Sequence, residues 1–550
     1  LRKDCIGAKI SKPSQMKSAS YFAASFAGEH VAGTEFVIGA LFVAWGVGMT
    51  DLLLGLIIGN TLAVITWAKF TAPIACDTRQ SMYEHLQKIG GTRILSLYSV
   101  VSTVLFCIGA AMMITVSASA VRALLGLPIQ LNWYPEDYKF VVLTLGIGIV
   151  ITFVAVGGFS RVAEFSKICA PWLISIFLIG AIVSVPTLFS TSPELSNSSF
   201  IDSLIYVGTN TIWVESSSEL SFIHVAVFAW SCNLVMHGGM ADMTIFRFAK
   251  RKSYGYYSAL GMLIGHFAAW ICAGMMGAAA SIMLQRGIST LDPGDVAFNL
   301  LGLSGIMAVI IAGWTTANPA IYRSGVALES MLPNLNRKRA TWIAGVLTTI
   351  LACFPFVFNM LGHVVSLTAL LLSPVGAVII AEHYLLPKLG MTKYWFHFKS
   401  SDASNKPALA SWFFSLVLSS FLFYIGVHQF LLPLAAWLSA MAMYCLFAMQ
   451  GGAKENYTES SALEREKQSA RKAKENEYEL ANQKNNSAFK GLTPSFFLAL
   501  AALCTNTVLA IGVLLDHISL EIFKMCLLGF TALYFTSLSP FFTRNVFSES

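Results

Sequence analysis

The chain has 550 residues, 56% of them hydrophobic and only 12% charged, with a mean hydropathy of +0.66. A soluble globular chain carries about 25% charged residues, so that class is excluded. The net charge of +7 arises from 36 Lys and Arg against 29 Asp and Glu. Its placement along the chain says more than its size, and no nucleic-acid partner is expected.

A helical membrane crossing needs about 20 apolar residues. Such stretches recur about fourteen times by that criterion, near 19–46, 49–73, 92–122, 137–157, 166–190, 222–248, 253–284, 303–328, 338–358, 361–386, 407–426, 428–449, 494–515 and 518–541. Span 1 is interrupted by Gly28-Glu29-His30-Val31-Ala32-Gly33, and span 2 carries Gly55-Leu56-Ile57-Ile58-Gly59-Asn60. Ala170-Pro171 sits near the start of span 5. Span 6 is interrupted by Asn233-Leu234-Val235-Met236-His237-Gly238-Gly239, and span 7 then repeats the span-2 signature as Gly261-Met262-Leu263-Ile264-Gly265-His266. Span 10 carries Ser373-Pro374 where span 5 carries Ala170-Pro171. Spans 1–5 and 6–10 therefore read as a repeat. An odd number of spans per copy makes the second copy inverted, and paired Gly-interrupted spans mark a secondary transporter's binding region. Hydrocarbon cannot satisfy the backbone groups that a break frees, so spans 1 and 6 are expected to unwind over 28–34 and 233–239 against protein or a polar cavity.

Basic loops fix the orientation. Lys12, Lys17, Arg79, Lys88, Arg161, Lys167, the Arg247–Lys252 cluster, Arg337–Arg339 and Lys388–Lys406 lie on one side, whereas 191–221 holds four acidic residues and no basic one. The basic side is expected to be cytoplasmic, with both termini there. The chain is expected to be multi-pass in a plasma membrane of the bacterial inner-membrane type, with no cleavable signal peptide. Residues 1–190 comprise the tail and spans 1–5, residues 191–390 an external loop and spans 6–10, and residues 391–451 spans 11–12. Residues 452–490, with eight Lys/Arg and seven Asp/Glu, read as a solvated cytoplasmic linker with a helical stretch around 461–480. Residues 491–550 hold two further spans, whose sparse polarity suits packing or a homo-oligomer contact. The ten cysteines lack metal-ligand spacing and read as core residues.

The chemistry-bearing residues cluster at the breaks and in span 8. There the sequence runs Ala312-Gly313-Trp314-Thr315-Thr316-Ala317-Asn318-Pro319. Adjacent hydroxyls with carbonyls freed near a proline can hold a small hard cation, or can bond back one helical turn. Glu29, His30, Glu35 and His237 are intramembrane ionisable groups, functional candidates by their cost alone. Glu29 and Glu35 suit a cationic or N–H-donating substrate or a proton, or else pair with a neighbour. His224 and His266 read as packing residues, and Asp242 as a partner of Arg247 or Arg323.

Gly55, Gly59 and Asn60, the Phe246-Arg247-Phe248 closing span 6, Trp314-Thr315-Thr316 with Tyr322, and the run Ser373–Ala381 resemble the nucleobase:cation symporter-1 family, which includes cytosine, allantoin and hydantoin permeases. The resemblance covers spans 1–12. It implies an all-α polytopic LeuT-like fold, 5+5 inverted, with helices 1 and 6 broken. It further implies a sodium site formed by Gly28, Val31, Ala312, Thr315 and Thr316, and a small-molecule substrate lying near Gly33, Glu35, Phe106, Asn233, His237, Gly238 and Asn318. Cytosine-type members place amides where this chain has Ala312 and Ala317, and a span-3 Trp where it has Phe106. A flat ring can still stack on Phe106, but cytosine's edge must be recognised differently. The expected function is sodium-coupled symport of a small nitrogenous, nucleobase-like metabolite. The alternatives are proton-coupled uptake of a cationic amine or amino-acid-like metabolite, and a transporter-derived sensor module. No nucleophile–base pair or metal motif points to an enzyme.

Overall fold

Apolar chain in a bilayer must close its backbone hydrogen bonds within each segment, and the chain does so almost entirely with helices. The computed structural model describes residues 10–130, 132–192, 198–215, 220–332, 334–355, 360–399, 404–483 and 494–546, with the side chains of 541–546 outside the description. Among them the one departure from helix, turn and coil is a parallel bridge pairing Lys17 with Ala249. Among the described residues eleven helices are long and apolar enough to cross a membrane, and the bent pair Ala19–His30 and Gly33–Ala44, taken as one span, makes twelve. The count of about fourteen read from the sequence includes two regions that form shorter helices. These are Phe222–Ser231, followed after a break by Leu234–His237, and Arg337–Ala352.

In chain order, span 1 is the bent pair, span 2 is Met49–Thr78, span 3 Met82–Leu124, span 4 Tyr138–Val156 and span 5 Phe159–Phe189. Span 6 starts with Phe222–Ser231, and span 7 is Lys252–Leu284. Span 8 is Pro293–Met331, span 9 Arg337–Ala352, span 10 Leu361–Lys388, span 11 Lys406–Tyr424 and span 12 Gln429–Gly451. A 26-residue polar helix, Thr458–Gln483, precedes span 13 (Pro494–Leu514) and span 14 (Leu520–Pro540).

Both expected breaks are present, the first narrower than the sequence suggests and the second extending a few residues further. Span 1 stays helical through His30 and resumes at Gly33, so only Val31 and Ala32 lie outside helix, at a bend of 48°. Span 6 leaves helix at Cys232 and Asn233, makes one turn over Leu234–His237, and opens again before Met243–Phe246. Short local hydrogen bonds carry the chain through it. Gly239 N–H donates to Leu234 O at 2.6 Å and Ala241 N–H to Val235 O at 3.0 Å.

The repeated glycine signatures pack reciprocally. A Cβ on Gly59 of span 2 would come within 2.2 Å of Ala226 O in span 6, and one on Gly265 of span 7 within 2.3 Å of His30 O in span 1. Each Gly-x-x-x-Gly face thus brings a backbone against a broken helix, the arrangement small residues permit in a bilayer. Spans 13 and 14 lie against the same chain. Tyr534 donates to Ile168 O at 2.8 Å, and Thr531 lies 3.3 Å from Trp172 Nε1 and 3.2 Å from Ser304 Oγ.

Candidate functional site

Because span 1 remains helical to His30, its first half delivers Glu29 to span 8. Glu29 meets Arg323 through two bonds, 2.6 and 3.1 Å long, and Asp242 of span 6 accepts from the same guanidinium at 2.7 and 3.2 Å. Trp67 of span 2 donates its indole N–H to Asp242 at 2.8 Å. All four side chains are buried. The arrangement joins both broken helices to span 8 through charge-assisted bonds. Of the two partners offered for Asp242 by the sequence, Arg323 is the one it has, and Glu29 is engaged structurally rather than free for a ligand.

One residue's backbone links this network to span 8's hydroxyls. Thr316 Oγ1 lies 3.1 Å from Glu29 O and 3.1 Å from Ala312 O, and Thr315 Oγ1 lies 3.0 Å from Ala312 O. Both hydroxyls thus bond back one helical turn to Ala312 O, as one of the two sequence readings had it, and Thr316 alone also reaches Glu29 O of span 1, which joins four oxygens beside the break. The carbonyl that reaches Thr316 is Glu29's, whereas Gly28 serves close packing, since a Cβ there would lie 2.6 Å from Ser166 Cβ. Val31 lines a narrow apolar gap shared by spans 1, 5 and 7. All four converging donors are hard oxygens and so fit a small hard cation. Among the described residues no group of three His, Cys, Asp or Glu side chains suits a metal.

A second polar cluster forms where span 7 crosses the breaks. Glu35 accepts from the Trp270 indole N–H and from Thr34 Oγ1 at 3.3 Å, and lies 3.7 Å from His266 Nε2. His266 stacks on Trp270 with centroids 4.5 Å apart, and its Nε2 lies 3.2 Å from Asn233 Nδ2. The packing role assigned to His266 from sequence is present in its stacking on Trp270, and the structure adds Glu35 and Asn233 beside it. Its helical period places it one turn before Trp270, on the face that meets Glu35, and only the span-7 register reveals that. His237 bonds Trp230 O through Nε2 at 2.9 Å and packs 4.8 Å from the Trp67 ring.

The remaining candidates divide. Asn318 is buried with neither side-chain polar atom bonded, and the His237 Nδ1 and His30 Nε2 atoms are likewise unpartnered. Phe106 belongs to the hydrophobic cluster that contains Trp230 and Tyr322. Gly33 and Gly238 are closely packed. A Cβ on Gly33 would lie 3.0 Å from Val116 Cγ1, and one on Gly238 would lie 2.5 Å from Leu234 Cδ1. Trp437 donates to Gly238 O at 3.0 Å.

About four fifths of the backbone superposes on solved transporters. Mhp1, described as a nucleobase-cation-symport-1 family transporter in a closed conformation with bromovinylhydantoin bound, matches with a TM-score of 0.59 at 15% identity, over 80% of this chain and 94% of Mhp1. This is the LeuT-type fold. An inward-facing conformation of Mhp1 matches at 0.58, 16% identity and 80% and 92% coverage. A sodium-coupled sialic acid symporter matches at 0.54, 14% identity and 82% and 93% coverage. No protein-family profile and no curated protein matches the sequence. The family resemblance read from motifs and the LeuT-type fold agree, and the resemblance leaves spans 13–14 beyond its twelve spans.

The charged segment after span 12 is also more than a solvated linker. Within Thr458–Gln483, Glu475 bonds Arg79 at 2.9 Å, Arg471 donates to Thr78 O at 2.9 Å, and Lys472 reaches Asp77 at 3.1 Å. Glu464 pairs with Lys88 at 2.5 Å. The helix thereby crosses the basic end of spans 2 and 3, where Arg79 also holds Ala249 O at 2.5 Å. Its residues 484–490 lie outside the described part.

Proposed function

We propose that the chain is a secondary active transporter, a sodium-coupled symporter of a small nitrogenous, nucleobase-like metabolite working by alternating access in the bilayer. The observation that carries this reading is the convergence of Glu29 O, Ala312 O, Thr315 Oγ1 and Thr316 Oγ1 at the bend of span 1. Sodium bound there supplies a fixed positive charge that draws span 1 to span 8. The Glu29 side chain, one carbonyl away, meanwhile holds Arg323 and through it Asp242 of span 6. Opening toward the basic end separates spans 1 and 6 from span 8, and cation occupancy at Glu29 O opposes that separation. The basic end is the cytoplasmic one by its Lys and Arg, which puts both termini and the Thr458–Gln483 helix inside the cell. No enzymatic role is proposed.

Asn318, His237 and Phe106 are the substrate contacts this reading favours, with Asn318 first because its buried amide has four unmet hydrogen-bonding positions. Cytosine itself is expected to bind weakly. Ala312 and Ala317 offer it no amides, and each unmade bond costs about 1–3 kcal/mol, together roughly a hundredfold or more. The test is a thermal-shift screen of purified protein against nucleobases, hydantoins, amines and amino acids, with and without sodium. A bound ligand at a hundred times its Kd adds about 2.7 kcal/mol. Stabilisation by a planar nitrogenous ring only when sodium is present supports the reading. Equal stabilisation by such rings without sodium counts against it.

A further inference from the structure

The sodium reading leaves Glu35 unused. It is 2% exposed, and it lies on the second half of span 1, one turn beyond the break. Among the described residues no Lys or Arg lies within ion-pair distance of it, because Arg323 is held by Glu29 and Asp242. Its bonded partners are the Trp270 indole N–H and the Thr34 hydroxyl, both neutral. The titratable groups that face it come from span 7, as His266, and from span 6, as the Cys232 thiol. His30 of span 1 lies beyond His266, the two rings tilted with centroids 5.0 Å apart.

The hydrogen-bond directions at His266 are informative. With its amide oriented Nδ2 toward the ring, Asn233 donates to His266 Nε2 at 3.2 Å. Nε2 is then an acceptor, and it faces a second acceptor, Glu35 Oε1, across 3.7 Å. His266 Nδ1 and His30 Nε2 are buried and bonded to nothing. Two acceptors facing each other at membrane depth lack one proton, and an ionised carboxylate there with no cation beside it is the costly state. A metal ion does not suit the gap, because the groups around the carboxylate are N–H donors and ring nitrogens rather than the oxygen cage a hard cation needs. A single proton does suit it.

We infer that Glu35 and His266, positioned by Trp270 and Asn233, form a proton-binding site between the two broken helices, separate from the oxygens gathered at Thr315 and Thr316. Hydronium on one side of the membrane gives its proton to the Glu35 carboxylate and leaves water. The carboxyl group then donates across to His266 Nε2 in place of the Asn233 N–H, since that nitrogen has a single lone pair, and the reverse transfer to water on the other side restores the carboxylate. No electrons move, and one proton is carried per occupancy. This deepens the transporter reading, on which it rests, by adding the proton as a second coupling ion.

The experiment is infrared difference spectroscopy of purified full-length protein, acidified stepwise from neutral pH, on the wild type, Glu35→Gln and Glu35→Asp. The expected result is a protonated-carboxyl C=O stretch that appears in the wild type, is lost in Glu35→Gln and is displaced in Glu35→Asp. Should Glu35→Gln fail to purify, the displacement in Glu35→Asp decides alone. Identical carboxyl bands in wild type and both variants overturn the inference, as does a wild-type Glu35 that stays ionised throughout the titration. Sodium-induced stabilisation of the same wild-type sample is recorded alongside. Its absence removes the sodium reading while leaving the carboxyl result to stand or fall by itself.

Discussion

Removing the Arg323 guanidinium is the perturbation with the largest calculable consequence. Arg323→Met keeps volume and apolar stem but leaves Glu29 and Asp242, both buried, without their shared cation. Breaking one buried pair by deleting a partner costs about 3–5 kcal/mol. Here the second carboxylate escapes part of that cost by taking a proton, so the total is expected near the upper end of that range. At 1.4 kcal/mol per decade a cost near the upper end is about three and a half decades in the folded-to-unfolded ratio. The assay is thermal unfolding in detergent, followed by loss of monodisperse protein. The triple variant Glu29→Gln, Asp242→Asn, Arg323→Met removes every charge at once, and a neutral replacement of a buried ionic group is often near neutral in stability. It should therefore recover most of the loss. Wild-type stability in Arg323→Met, or a triple variant as unstable as the single one, would refute the reasoning that these charges are buried and mutually compensated.

Gly59→Val should destabilise by about 1–3 kcal/mol through overpacking, because a Cβ there meets Ala226 O at 2.2 Å; melting of the purified variant checks it, and an unchanged melting point contradicts the close packing. Glu475→Lys places a cation beside Arg79 and Arg471, so the Thr458–Gln483 helix should lift and be cut faster in limited proteolysis. Burial holds the Lys393 ammonium down, from its ordinary 10.5 to about 8. Between those values the unfolded chain binds more protons than the folded one, so stability rises with pH across that window. Lys393→Met should flatten that rise, which melting curves across the window measure.

How much was legible in the sequence follows from what each signal reports. Gly55, Gly59, Gly261 and Gly265 announced the repeat because close backbone approach leaves only glycine as a solution, and the structure finds both faces packed on broken helices. The breaks were legible as glycine clusters, but their extent was not. Glycine permits departure from helix without requiring it, so span 1 persists to His30 and presents Glu29 O, rather than Gly28 O, to Thr316. Gly33 and Gly238, read as ligand-facing, lie close against Val116 and Leu234. The polar neighbours of His266 were not legible because a histidine on an apolar face gives no hint of what stands opposite, and only the crossing of span 7 over span 1 sets it near Glu35. The polar helix after span 12 was visible as composition. Its partners Arg79, Lys88 and Asp77 lie some hundreds of positions away in sequence, where no local pattern reaches.

The central claim is that a sodium ion binds where span 8 meets the bend of span 1. Equilibrium binding of radioactive sodium to purified protein tests it most directly, comparing wild type with Thr315→Ala/Thr316→Ala. That double variant removes two of the four converging oxygens while sparing the Glu29–Arg323–Asp242 network. The account predicts saturable sodium binding in the wild type and its loss in a double variant that still purifies as a monodisperse protein. Undiminished sodium binding in the double variant would place the ion elsewhere and contradict it.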